Sequence, residues 1–460
     1  MPATEDLPDH LARAVAWVEA TVGPVVAVEQ QARWRPSLYL DVEADGRRQE
    51  LYFRGDRPET QRAVGDGGIA QEHGVLRLLE DRGLPVPRLV GFCPEPEGIL
   101  MERSPGRPDL SSAVDEAERR QVLDQYLAFL AELHAIAPAD AAGLGLRHPD
   151  GSEQVALADL DEWERRYREQ RWRPEPLIEL VLRWVRTHVP DDRHEVCLLH
   201  GDAGQFLFED GRMTAVLDFE LAALGDPLAD LGALLLRDLS EPLGDLRRAM
   251  VTYQQLAGRT VDPDVVAFHA VRFGICTPMG TAGVVGLPLA MVSWPQYESW
   301  YRVVGRVALQ ILARREGIDL DPPDLPELDA PSTSPALGAR WLVEALAASA
   351  DGHPIDSTER FEADMARRGA VYGERALALA EEMEAADLDD AAAFLGHRPA
   401  DAGECAAALE ELAAEAWPRS GPAGWEADLV RCLHRRALRQ EHLLGPALRE
   451  LEGVHAQDVG

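Results

Sequence analysis

The stretch CLLHGDAGQFLFEDGRMTAVLDFELAALGDPLADLGALLL, from Cys197 to Leu236, decides how this chain is read. Its apolar opening predicts a strand that delivers His200-Gly201-Asp202 to its end. A tight loop follows, then a two-stranded hairpin turned at Glu209-Asp210-Gly211, whose second strand, Thr214 to Leu217, delivers Asp218. Two carboxylates thus emerge at neighbouring strand ends, 16 positions apart. Phosphoryl transfer needs such a pair, one to orient and deprotonate a hydroxyl and one to hold Mg²⁺ against nucleotide phosphates. Aspartate is also common at turns, so a hairpin with two acids is equally what an ordinary loop would show. Asp226-Pro227 reads as a helix start, since Asp caps well and Pro suits the first helical position. Structural duty is the better assignment for Asp226 and Asp230.

Outward from this segment the chain divides. Upstream, residues 7–22 form a leading helix, followed by candidate strands at 25–28, 37–43 and 48–54, the last two joined by the turn Ala44-Asp45-Gly46. A helix from about Pro58 to Arg82, doubtful across its glycines at 65, 67 and 68, ends at Gly83. Two short strands lie near 88–92 and 98–102. Beyond residue 109 helices dominate, at roughly 111–136, 158–172, 175–189, 242–257, 263–275 and 291–316. Residues 319–335 carry five prolines and several acids and read as a linker. The tail, 341–460, is amphipathic and helical, without a His/Cys ligand set, nucleophile motif or basic patch. The division expected is 1–102, a β-rich nucleotide-binding lobe; 103–318, a helical lobe; 319–340, a linker; and 341–460, a helical domain packing on the lobe before it or on a protein partner.

The chain has 460 residues, 46 % hydrophobic, and a formal charge of −34. That field repels phosphodiester backbones and anionic lipid, so neither nucleic acid nor membrane is expected as a partner. There is no lysine and no asparagine, and all 46 basic residues are arginines. Schiff-base chemistry, a Walker-type Gly-Lys pair and a lysine base are therefore excluded. Five scattered cysteines, an acidic amino terminus and no long apolar run lead to an expected cytoplasmic location.

His-Gly-Asp (200–202), Gly-Gln-Phe-Leu-Phe (204–208), Val-Leu-Asp-Phe-Glu (216–220) and Gly-Asp-Pro-Leu-Ala-Asp-Leu (225–231) together resemble the aminoglycoside phosphotransferase and choline kinase-like family. That family is a branch of the protein-kinase fold and includes kinase-like domains fused to some acyl-CoA dehydrogenases. The resemblance spans about residues 20–318 and is most specific over 197–236. It implies an α+β, two-lobed fold, here with an appended helical domain, and ATP and Mg²⁺ as cofactors. It implies Asp202 as catalytic base, Asp218 as metal-holding aspartate and His200 as a buttress of the loop. Arg54 stands where the family has a strand lysine, and Glu72 matches the crossing-helix glutamate that pairs with it. Met101 and Arg103, in Ile-Leu-Met-Glu-Arg (99–103), fall in the lobe-connecting hinge that binds adenine.

Three departures follow. Gln205 replaces the asparagine that holds the second metal, in a loop about two residues shorter than the kinase pattern. Its amide keeps the oxygen donor on a longer stem. The segment Glu29 to Pro36, in place of a glycine-rich phosphate loop, has no glycine, leaving Arg33 and Arg35 as its positive charges. Arginine replaces lysine at 54. The acceptor expected is the hydroxyl of a small molecule, aminoglycoside-, choline- or hydroxyacyl-like. Trp163, Trp172, Trp184, Trp294 and Trp300 are pocket candidates, although core packing is the simpler fate of helical tryptophans. The rival expectation is a kinase-shaped nucleotide-binding or regulatory module with weak or no transfer.

Overall fold

Period-two alternation builds the amino-terminal lobe. The computed structural model describes residues 7–31, 35–44, 46–56, 67–287, 293–354, 357–417 and 424–460. Helix α1 (Asp9–Thr21) leads into β1 (Val25–Gln30), β2 (Ser37–Ala44) and β3 (Arg47–Gly55); α2 (Ile69–Asp81) then precedes β4 (Leu89–Pro94) and β5 (Glu97–Glu102). The five strands form one sheet in the order β1-β2-β3-β5-β4, every neighbour antiparallel. Leu38, Leu40, Val42, Leu51, Phe53 and Leu100 share a core with Leu11, Val15 and Val18 of α1. Side chains alternate across a strand, so Tyr52 and Arg54 must leave β3 on the opposite face, where α2 and the rest of the molecule lie. Ile99 and Met101 join Val75, Leu76 and Leu79 of α2 in the second core. The helix expected from Pro58 begins only at Ile69, after Gly68 at φ 82°, and residues 57–66 of that expectation lie outside the described residues. Asp45 of the expected hairpin turn also lies outside them, while Gly46 takes the left-handed φ of 70°.

The second lobe runs α3 (Glu116–Leu133), α4 (Ser152–Leu157), α5 (Leu160–Gln170), α6 (Pro176–Thr187), β6 (Cys197–Leu199), β7 (Phe206–Glu209), β8 (Arg212–Val216), β9 (Ala223–Gly225), α7 (Leu228–Arg237), α8 (Leu246–Ala257), α9 (Pro263–Val285) and α10 (Trp294–Arg315). Helix α3 starts later than the periodicity predicts, because Asp115 caps it by accepting from the Glu118 amide at 2.9 Å. Strand β9, unforeseen in the sequence, pairs antiparallel with β6. Helix α9 runs ten residues beyond its expected end and continues through Pro278. Proline costs a helix one hydrogen bond, and burial of Ile275, Met279 and Ala282 in the main core outweighs that loss.

No helix or strand occupies residues 319–332, and α11 (Ser334–Asp351) starts within the expected linker, capped by Thr333. Then come α12 (Thr358–Leu395), α13 (Ala402–Glu415) and α14 (Glu426–Leu444). The tail is seated on the second lobe. Leu409 and Leu433 belong to the same core as Leu180, Trp184 and Leu312. Polar contacts cross the seam from Glu175 N–H to Glu410 Oε2 at 2.6 Å and from Arg306 Nε to Glu441 Oε1 at 2.6 Å. Among the described residues no helix is long and apolar enough to cross a membrane.

A shared core has a measurable consequence. Leu409→Ala removes fully buried volume and should cost about 2–5 kcal/mol. Hydrogen exchange should then quicken in the α6 amides as well as in α13; unchanged α6 protection would mean that the tail is an independent unit.

Candidate active site

The loop after β6 is held by a buried carboxylate. Asp230, at the start of α7, accepts the His200 amide on Oδ2 at 2.8 Å and the Gly201 amide on Oδ1 at 2.9 Å. His134 Nε2 lies 3.0 Å from the same Oδ2. Burial works to raise the Asp230 pKa, and the His134 contact with the two amides outweighs it and holds the carboxyl ionised. Gly201 adopts φ 87°, and a Cβ there would lie 1.9 Å from the Leu221 carbonyl oxygen. Only glycine fits. Gly204, at φ 101°, is confined in the same way by the Arg237 side chain.

His200 couples this loop to the one bearing Asp218. Its Nε2 lies 2.8 Å from the Leu217 carbonyl, which can only accept, so Nε2 carries the proton. Nδ1 is then an acceptor and takes the Tyr126 hydroxyl at 2.8 Å, while that hydroxyl accepts the Gly204 amide at 2.7 Å. Burial lowers the His200 pKa and keeps the ring neutral, as the network requires. The buttressing role expected for His200 is what these bonds describe. Asp226 is similarly structural, receiving the Leu228 amide at 2.9 Å and Arg193 Nη2 at 2.8 Å.

At the loop's tip Asp202 is part-exposed, its side chain 29 % accessible. Oδ1 pairs with Arg237 Nη2 at 2.7 Å, and Oδ2 accepts from Gln205 Nε2 at 2.9 Å. Arg237 ends α7 one residue beyond the motif-bearing segment, and sequence reasoning missed it. A lone arginine closing an apolar helix is what the helix dipole alone would favour, so no distinguishing signal existed. The charges of Asp202 and Asp218 both act on its guanidinium, offsetting burial and keeping it protonated. The amide of Gln205 spends its nitrogen on Asp202 and leaves Oε1, without a hydrogen bond among the described residues, as a hard oxygen donor.

Asp218 follows β8 in the left-handed conformation, φ 66° and ψ 61°. There it meets Arg54 from β3. Arg54 Nε donates to Glu72 Oε2 at 3.1 Å, and Nη2 reaches Asp218 Oδ1 and, at 3.0 Å, Glu220 Oε2. Glu220 also takes Arg35 through Nε at 2.8 Å and Nη2 at 2.6 Å. Burial opposes the charge on Arg54, and Asp218, Glu72 and Glu220 together overcome it, raising its pKa. Burial likewise pushes the Glu72 carboxyl up, with Arg54 pulling against it. The carboxylates of Glu72, Asp218 and Glu220 offer oxygens within 4.8 Å of one another, an all-oxygen set that suits a hard divalent cation. Sequence reasoning does not place Glu220 or Arg35 here. Arg35 is spent on buried carboxylates rather than displayed to phosphate, and Arg33 lies outside the described residues.

The structure therefore brings Arg54, Glu72 and Asp218 into contact, and Asp202 with Gln205 into a second, adjoining group. Met101 lies in β5 between Tyr52 and Leu89, its side chain buried. The Arg103 amide is bonded to the Glu50 carbonyl at 3.0 Å and its guanidinium lies 4.0 Å above the Tyr39 ring. Past it, Arg107 exchanges two backbone hydrogen bonds with Phe208, so the segment after β5 is tied to the hairpin that carries Asp218. Trp163 and Trp184 are core residues, Trp172 is exposed, and Trp294 and Trp300 are half-buried.

Residues 30–269 match the phosphotransferase enzyme family. The chain belongs to that family. It is 31 % identical over 180 residues to acyl-CoA dehydrogenase family member 11 of Rattus norvegicus, covering 36 % of this chain and 23 % of the relative. The human protein of that name is 27 % identical over 239 residues, covering 49 % and 29 %. The matched part of this chain thus spans less than a third of these relatives' length. A crystal structure from Ralstonia eutropha, of a protein assigned as an aminoglycoside phosphotransferase, superimposes with a TM-score of 0.50 at 20 % identity, covering 65 % of this chain and 97 % of its own. The fold is accordingly kinase-like and α+β, with the helical region beyond it.

The buried histidines set an acid limit. His200 and His269 both have folded pKa values below the ordinary 6.5. Below about pH 6.5 the unfolded chain takes up protons that the folded chain refuses, so stability falls as pH drops. Urea unfolding at pH 7.5 and 5.5 should show that loss, and His200→Gln should reduce its slope.

Proposed function

We propose that this protein is an ATP- and Mg²⁺-dependent phosphotransferase acting on the hydroxyl of a small molecule. The observation that carries this reading is the pair of carboxylates, Asp202 and Asp218, borne on adjoining loops that neutral His200 locks together. Membership of the phosphotransferase family supports it. Bound Mg²⁺, held by Asp218 and Oε1 of Gln205, would neutralise charge on the nucleotide phosphates.

The remaining roles belong to the chain. Asp202, fixed on one side by Arg237 and on the other by Gln205, aims its exposed edge at an incoming hydroxyl and accepts its proton. Arg237 keeps that carboxylate ionised until the proton arrives. Arg54, oriented by Glu72, presents a guanidinium fork to phosphate oxygens. The backbone following Met101 and Arg103 receives adenine. Catalysis is then a matter of positioning and charge.

A second reading, a kinase-shaped binding module, is favoured by one observation: Arg54 already neutralises Asp218. The two readings separate by experiment. Asp202→Ala should reduce ADP release with a panel of hydroxylated metabolites and aminoglycosides by at least about 100-fold, with Mg·ATP affinity in calorimetry unchanged. Turnover at the wild-type rate in that variant would refute the mechanism, and no transfer by the wild type to any acceptor would favour the binding module. Arg54→Lys replaces the fork with a shorter point charge that can keep Glu72 but not span to the phosphate, so Mg·ATP should bind about tenfold more weakly than in the wild type. Undiminished affinity in that variant would mean that the guanidinium is not a phosphate ligand.

A further inference from the structure

One buried cation in the tail has no ion pair in contact with it among the described residues. Arg368 of α12 is only 4 % exposed. Its Nε donates to the Ala447 carbonyl at 2.9 Å and its Nη2 to Ser299 Oγ at 3.2 Å. Among the described residues no carboxylate lies within ion-pair distance of it, although Glu450 and Asp364 act on it from farther away, and Nη1 has no hydrogen-bond partner. Burying an unpaired charge of this kind costs several kcal/mol. Two of the acids nearby are committed. Asp364 is shared by Arg449 and Arg367, and Asp351 is paired with Arg360.

These groups border a cavity of about 590 Å³ between α11, α12 and the turn after α14, lined by four arginines against three carboxylates, Glu450 being the third. Arg449 enters it from a backbone at φ 54° and ψ −121°, a conformation that disfavours any side chain. Phe361 and Met365 supply an apolar wall. In a chain of net charge −34 this is a local reversal of sign.

We propose that this cavity is a binding site for the phosphate group of a small organic phosphate, held by Arg368 and Arg449 with its carbon body against Phe361 and Met365. Guanidiniums converging from α12 and the terminal turn suit a tetrahedral dianion, which offers acceptors in several directions. The volume is that of a metabolite site. None of its residues belongs to the phosphoryl-transfer group, so the site stands whether or not transfer occurs.

Calorimetry with phenyl phosphate and with inorganic phosphate tests it. Saturable binding is expected, tighter for phenyl phosphate, and at least about tenfold weaker in Arg368→Gln and in Arg449→Gln. In the unmodified protein phenyl phosphate should also shield Arg449 and Arg367 from phenylglyoxal, read by peptide mass mapping. That measurement decides the matter if Arg368→Gln fails to fold. Equal affinity in wild type and variants, or no shielding, would overturn the proposal, and preference for inorganic phosphate would overturn the apolar wall's part in it.

Discussion

One guanidinium bridges the two lobes at the site. Arg54 contacts Glu72 from the crossing helix and Asp218 and Glu220 from the loop after the hairpin, linking three segments distant in sequence. Carboxylates this close repel strongly; a like-charged pair at 4 Å costs about 4 kcal/mol at an effective dielectric near 20. Without the cation the three would not remain together ionised. Removing one partner of such a buried network costs about 3–5 kcal/mol, because charges are left behind without compensation. Arg35 reinforces the arrangement from the other side through Glu220 and, at 3.5 Å, Asp56. Two guanidiniums thus serve four carboxylates, a formal charge of minus two with every carboxyl ionised. That deficit matches one divalent cation.

His200 provides the mechanical half of the same design. A neutral imidazole between Tyr126 and Leu217 has fixed donor and acceptor ends, so it transmits position rather than charge. Asp230 anchors it through the backbone. Displacement of one aspartate's loop would therefore strain the other. Both acids can be part-exposed, as chemistry requires, because their supports are wholly buried.

Much of this was legible in the sequence, and the reasons are local. Alternation in Leu-Tyr-Phe-Arg is enough to place Arg54 on the face opposite Leu51 and Phe53. The Asp-Gly turn and apolar runs place the hairpin, and glycines 201 and 204 sit at positive φ, the first against the Leu221 backbone and the second against the Arg237 side chain. What stayed hidden is convergence in space. Glu220 lies in a quoted motif, yet its partners Arg35 and Arg54 are 185 and 166 residues away. Arg237 looks like a helix terminus, β9 is three residues long, and the start of α11 is masked by linker composition. No periodicity in one segment reports a contact with another. The seating of the tail on α6 and α10 is hidden for the same reason, since an amphipathic face does not name what covers it.

The absence of lysine bears directly on how the site rests. An ammonium is a compact charge on a flexible stem, whereas a guanidinium fork can bond one carboxylate through Nε and others through Nη2 at once. Arg54 does this, and so neutralises Asp218 from within. A cation approaching Asp218 would compete with that guanidinium, and its net affinity would be lower by the strength of the ion pair it weakens. Glu72, buried and bonded through the separate Nε, can hold Arg54 while that exchange takes place. The bond from Nε to Glu72 is therefore independent of the Nη2 contacts with Asp218 and Glu220, so Arg54 stays anchored when those contacts change.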